Sequence, residues 1–210
     1  ADVIDQFQED GSRVRAETCT HYTALDKSAY EEQGTLPIMA PPLRTQEDID
    51  SLFDHLRMGA LDVVSTDHVA FKREEKEVDA WWESGFGVNS LQVSLPVFHD
   101  VAVNQRGLSY PFLVRTMSRN PAETFGLTEK GTLDVGTDAD LVIFDPDETY
   151  TITADDNASM ADYSIYEGRE VTGRVKQTIL RGETIAKDGQ ITVDPGYGQY
   201  VPRERPDWNV

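Results

Sequence analysis

Residues 45–68 restrict the possible folds more than any other stretch. Thr45 precedes a run in which Ile49, Leu52, Phe53 and Leu56 recur at i, i+3, i+4 and i+7, and Gly59 closes it. That pattern is a capped amphipathic helix with one apolar stripe. A short apolar strand, Leu61 to Ser65, comes next, with Asp67-His68 at its tip. Upstream, Val14 to Cys19 reads as another short strand that stops just before His21, and Leu36 to Pro42 as a brief apolar strand between the two. Strands alternating with helices predict an α/β fold with a parallel sheet or barrel. In such folds chemistry gathers at the carboxyl ends of the strands. An isolated Asp-His also suits a cap or a surface turn. A histidine past one strand end and an aspartate past another, however, would share one mouth, and that pair suits a divalent metal such as zinc. Two donors are too few for a zinc site. His55 is expected to face solvent from its helix, and His99 to sit in the core or on the surface. His68, adjacent to Asp67, would point the other way and support the site at most.

The charge balance excludes several functions. There are 38 acids against 19 bases, a net charge of −19, scattered along the chain rather than gathered in a tail. That sign argues against nucleic acid or an anionic membrane as partner. A solvated acidic surface predicts a protein of salt-rich cytoplasm, where screening weakens self-repulsion. No apolar run reaches the length of a membrane span, and Ala1-Asp2-Val3-Ile4-Asp5 does not look like a signal peptide. The single cysteine, Cys19, rules out an internal disulfide and fits a reducing compartment.

Elsewhere the pattern is less regular. Residues 1–10 read as the tail of a helix stopped by Gly11, so the chain is expected to begin inside an element. Phe71 to Trp82 is charged and irregular, and Gly85-Phe86-Gly87 is a loop without the spacing of a phosphate-binding glycine loop. Ser90 to Val103 has helical spacing, with Pro96 marking a kink or a late first turn. Ser109 caps a further helix. Asn120-Pro121 is expected to cap a separate short one ending at Gly126. After Gly131 short alternating segments punctuated by glycine predict strands and hairpins, with Arg181-Gly182 as a tight turn. Residues 197–210 read as a tail.

Five motifs, in order, resemble one family. Glu17-Thr18-Cys19-Thr20-His21-Tyr22 is similar to the Glu-x-Cys-Pro-His-Tyr of cyclic amidohydrolases (hydantoinase, dihydropyrimidinase, allantoinase and, more distantly, dihydroorotase). Ala40-Pro41-Pro42-Leu43-Arg44 resembles their Ser-Pro-Pro-Leu-Arg, and Ser65-Thr66-Asp67-His68 their Ser/Thr-Asp-His. Asn120-Pro121-Ala122 through Leu127, and Gly131 through Val142, resemble two further family segments. The resemblance implies the C-terminal part of a (β/α)₈ barrel, strands six to eight with their helices in residues 1–130. It also implies part of a β-sandwich in residues 131–195, with 196–210 as tail. It implies a binuclear metal site, usually zinc, with His21 as the histidine after the sixth strand and Asp67 as the aspartate after the eighth. Asp67 would bind a metal and move the proton of the attacking hydroxide, while the loops around Ala40 and Gly87 would hold a small cyclic amide. The family's His-x-His, bridging lysine and fifth-strand histidine have no counterpart in this sequence. The resemblance therefore implies that a missing N-terminal half, or a partner subunit, supplies them. A homo-oligomer is expected, and the alternative reading is a non-catalytic scaffold with the same fold.

Overall fold

The computed structural model describes residues 1–206. Helix α1 spans Asp2–Glu9 and strand β1 Glu17–Cys19. Two short helices follow, α2 at Thr20–Ala24 and α3 at Ala29–Gln33, and then the long α4 at Gln46–Met58 and strand β2 at Val63–Ser65. Thr45 starts α4 through a capping box. Its hydroxyl accepts from the Asp48 amide, and the Asp48 carboxylate accepts from the Thr45 amide. Gly59 ends the helix in the left-handed region, at φ 92°. The apolar stripe of α4 buries Ile49, Phe53 and Leu56 against Leu61, Val64, Phe98, Val101 and Leu113.

β1 and β2 are parallel and directly hydrogen-bonded, in register from Glu17–Val63 to Cys19–Ser65. The strand expected over Leu36–Pro42 does not form, and these residues make turns and a bend. Pro37, Pro41 and Pro42 have no amide proton to give a ladder, and apolar content alone does not compensate for that. The described residues therefore hold two parallel strands of the expected three. β1 and β2 are neighbours, so they cannot be the sixth and eighth strands of one barrel. The amino ends of both strands are fastened by Asp62, 3 % exposed, whose carboxylate accepts from the Ala16 amide at 3.0 Å and pairs with Arg15.

The amino end of α1 reaches α4 and corrects the expectation for His55. That ring is buried, with Nδ1 donating to the Ser51 carbonyl at 2.7 Å and Nε2 2.9 Å from the Asp2 carboxylate. After the short helix α5, Arg73–Lys76, helix α6 runs over Ser94–His99 with Pro96 in its first turn and continues as π-helical turns to Gln105. Ser109 caps α7, Tyr110–Val114. A π-helical stretch, Arg115–Arg119, then leads without interruption into α8, Asn120–Phe125. Asn120 is thus not a cap. It has helical dihedrals, and its side-chain amide donates to the Asp62 carbonyl at 2.7 Å.

The remainder is a four-stranded antiparallel meander: β3 Leu141–Thr151, β4 Glu170–Leu180, β5 Glu183–Lys187 and β6 Gln190–Ile191. Arg181 and Gly182, both at positive φ, turn β4 into β5. Between β3 and β4 the chain leaves the sheet and carries Ile152, Tyr163, Ile165 and Tyr166 into a second core with Leu36, Met39, Leu43, Val88 and Val97. The sheet also docks on α6 at Gly173, φ 122°, where a Cβ would lie 2.4 Å from His99 Nδ1. His99, fully buried, donates from Nδ1 to the Thr172 carbonyl at 2.8 Å.

Candidate functional site

Asp67 stands two residues beyond β2, exposed, with φ 43°. A non-glycine residue in the left-handed region is uncommon, and Asp and Asn are the types that tolerate it best. The turn it makes ends the strand and leaves the carboxylate at the rim. His21 lies in the first turn of α2, directly after β1, and is 2 % exposed. Its Nδ1 has no hydrogen-bond partner among the described residues. Burial drives its pKa down to about 4, with the Asp67 carboxylate pulling the other way. The pair is thus a neutral buried imidazole and an exposed carboxylate on adjacent strand ends. His21 follows the strand next to that of Asp67, not one two places away.

His68 is held apart from this pair. Its Nδ1 accepts from the amides of Ser90 at 3.0 Å and Leu91 at 3.2 Å, so the ring carries its proton on Nε2. That fastens the Asp67 turn to the start of the 3₁₀ turn Leu91–Val93, which leads into α6. The neighbouring Val69 amide donates to the Val88 carbonyl at 2.9 Å and lays the 85–88 loop along the same edge. Gly87 is required there: at φ 125°, a Cβ would sit 2.6 Å from Val69 Cγ2.

The Ala40 segment closes the arrangement. The Gly87 amide donates to the Ile38 carbonyl at 3.2 Å, and the Tyr22 hydroxyl donates to the Pro41 carbonyl at 2.7 Å. Ala40 itself is exposed. Hydrogen bonds therefore join the segments carrying His21, Ala40, Asp67 and Gly87 into one cluster. Beside it, a mostly apolar cavity of about 420 Å³ is lined by Tyr30, Ile38, Met39, Ala40, Trp81 and Phe86. Lys76, the last residue of α5, was not singled out from sequence because it lies within a charged, irregular stretch. It is fully buried. Its Nζ donates to the carbonyls of Ile38 at 2.6 Å, Gly87 at 2.9 Å and Gly85.

Among the described residues no cluster of three or more His, Cys, Asp or Glu side chains could hold a metal ion. His21, with its orphaned nitrogen, and Asp67 are chemically suited donors, but they are two.

A model of the amidohydrolase family matches residues 2–185. The chain belongs to the amidohydrolase family. It is 36% identical over 206 residues to an L-hydantoinase of Paenarthrobacter aurescens, covering 96% of this chain and 45% of that protein. It is 35% identical over 201 residues to an allantoinase of Salmonella newport (strain SL254), covering 94% of this chain and 44% of that protein. Among solved structures, an L-hydantoinase (dihydropyrimidinase) from Arthrobacter aurescens superposes with TM-score 0.92 at 36% identity, over 96% of this chain and 46% of its own. A dihydropyrimidinase from Brevibacillus agri gives TM-score 0.91 at 31% identity, over 97% and 46%. This amidohydrolase chain therefore spans a little under half the length of the relatives it matches. No helix among its described residues is long and apolar enough to cross a membrane.

Proposed function

We propose that the full-length protein is a metal-dependent hydrolase that opens the ring amide of a small cyclic amide, of the hydantoin, dihydropyrimidine or allantoin type. This chain carries only part of the site. The observation that bears most on this is Asp67, an exposed carboxylate held at a strand end by a left-handed turn beside His21, its segment hydrogen-bonded through Val69 to the Gly87 loop and that loop in turn to the Ala40 segment. The relatives named L-hydantoinase and allantoinase support the substrate class.

In this reading a binuclear metal site, most naturally zinc, takes Asp67 as one ligand. When bound, the metals make hydroxide available near neutral pH and polarise the ring carbonyl. Asp67 accepts the proton of the attacking water and returns it to the leaving ring nitrogen. A carboxylate suits both steps because it can hold the proton between them. His21 no longer rests on a sixth-strand position. Its candidacy as a metal donor rests on burial, a neutral ring and its place beside Asp67. Main-chain groups around Ala40 and Gly87 hold the ring. The remaining metal donors come from the portion by which the relatives exceed this chain, or from a partner subunit. We further propose a homo-oligomer in a salt-rich cytoplasm.

The test uses the full-length protein: metal content by mass spectrometry, and ring opening of hydantoin, dihydrouracil and allantoin. Bound metal and turnover of one of the three are expected. A well-folded, metal-free protein that opens none of them overturns the enzyme reading and favours a scaffold. A full metal complement in His21→Ala assigns that ring to packing rather than to the metal.

A further inference from the structure

A buried lysine ammonium normally finds a carboxylate. Lys76 does not: it is 0 % exposed and takes part in none of the ion pairs among the described residues. An ammonium has three N–H donors, and all three are used on main-chain carbonyls, of Ile38, Gly85 and Gly87. Desolvation lowers its pKa to about 8, which leaves it charged at neutral pH. The Phe71 ring covers it from one side, with its centroid 5.8 Å from Nζ.

The three carbonyls belong to two segments that meet through the Gly87 amide and the Ile38 carbonyl, the second of them hydrogen-bonded at Val88 to Val69, two residues past Asp67. A peptide unit is planar and trans, so fixing a carbonyl also fixes the following N–H in the opposite direction. Lys76 therefore sets the planes that carry the Met39, Phe86 and Val88 amides, and points those N–H groups away from itself. The Ile38 carbonyl additionally accepts from the Gly87 amide at 3.2 Å, so one oxygen joins both segments and the lysine. Met39 and Phe86, whose amides are oriented this way, line the 420 Å³ cavity together with Ala40.

We propose that Lys76 is a positioning residue, clamping the Ile38–Ala40 segment to the Gly85–Gly87 loop from behind and so aiming the main-chain groups that hold the substrate. This rests on the functional reading above, in which those two segments bind the cyclic amide. Lys76 itself touches no substrate. Its removal should loosen ground-state binding and leave the metal chemistry in place.

The experiment uses the full-length, metal-loaded enzyme and its Lys76→Met and Lys76→Gln variants, with kcat, KM and metal content measured on the best of the three cyclic amides. In Lys76→Met, KM should rise by about tenfold or more while kcat stays within about threefold and the metals are retained. Lys76→Gln keeps two N–H donors and should give an intermediate KM. A metal-loaded variant of either kind with the parental KM overturns the clamp, as does a loss of activity carried by kcat alone. Loss of fold and metal in both variants makes Lys76 a residue of the fold alone and also overturns it. Failure of the parent enzyme to open any cyclic amide counts against the functional reading instead.

Discussion

Asp67→Asn separates the chemistry of the carboxylate from its structural part. The residue is exposed and lies at φ 43°. Asn tolerates that conformation about as well as Asp, so stability should change by no more than about 0.5 kcal/mol. The amide cannot take up a proton or serve as a charged ligand. Loss of a general acid–base group lowers turnover by about 10²–10⁴-fold, or about 3–5 kcal/mol of transition-state stabilisation. Asp67→Ala should lose as much activity and also destabilise the turn by about 1–2 kcal/mol, because Ala tolerates the left-handed region less well than Asp or Asn. Steady-state kinetics of the full-length enzyme with added zinc, beside thermal melts of all three proteins, give both numbers. Turnover of metal-replete Asp67→Asn within tenfold of the parent would refute the proton-transfer role. A large drop in the melting temperature of Asp67→Asn would refute the structural half of the reasoning.

Three further outcomes are expected. Gly173→Ala places a Cβ 2.4 Å from His99 Nδ1 and 2.6 Å from Phe144 at a φ of 122°, and should destabilise the sheet's docking on α6 by about 2–4 kcal/mol by strain and overpacking; an unchanged denaturation midpoint contradicts this. In the metal-free protein, the His21 pKa is depressed from 6.5 to about 4. Its contribution is therefore present above pH 6.5 and fades as pH falls through 4, by at most about 3 kcal/mol; His21→Gln should flatten that part of the stability curve, and an unaltered curve refutes the account. With a net charge of −19, self-repulsion should make the melting temperature rise by several degrees between dilute buffer and molar KCl, and equal melting in both removes the salt-rich setting.

Much of the local structure can be read directly from residue spacing. The helix after Thr45, its glycine stop and the valine strand beyond it follow from periods and caps that neighbours in sequence are enough to set. The Arg181-Gly182 hairpin and the strands around it are local in the same sense. Motif order was enough to indicate the family. Failures arose where one local signal outweighed another, or where a distant part of the chain claimed a side chain. Leu36–Pro42 is apolar but has too few amide protons for a ladder. Asn120 has the makings of a cap, yet its side chain is spent on the Asp62 carbonyl 58 positions away.

Sequence by itself determined the helix–strand alternation, the acidic surface and the residue types at the rim, because periodicity, charge and side-chain chemistry are properties of adjacent residues. Only the tertiary structure decided that β1 and β2 are direct neighbours, that His55 and His99 are buried, and that Lys76 is used up on three carbonyls. Those facts depend on which surfaces meet across 9 to more than 70 positions. Desolvation, and hence the neutral state of His21, exists only once those surfaces have closed over it.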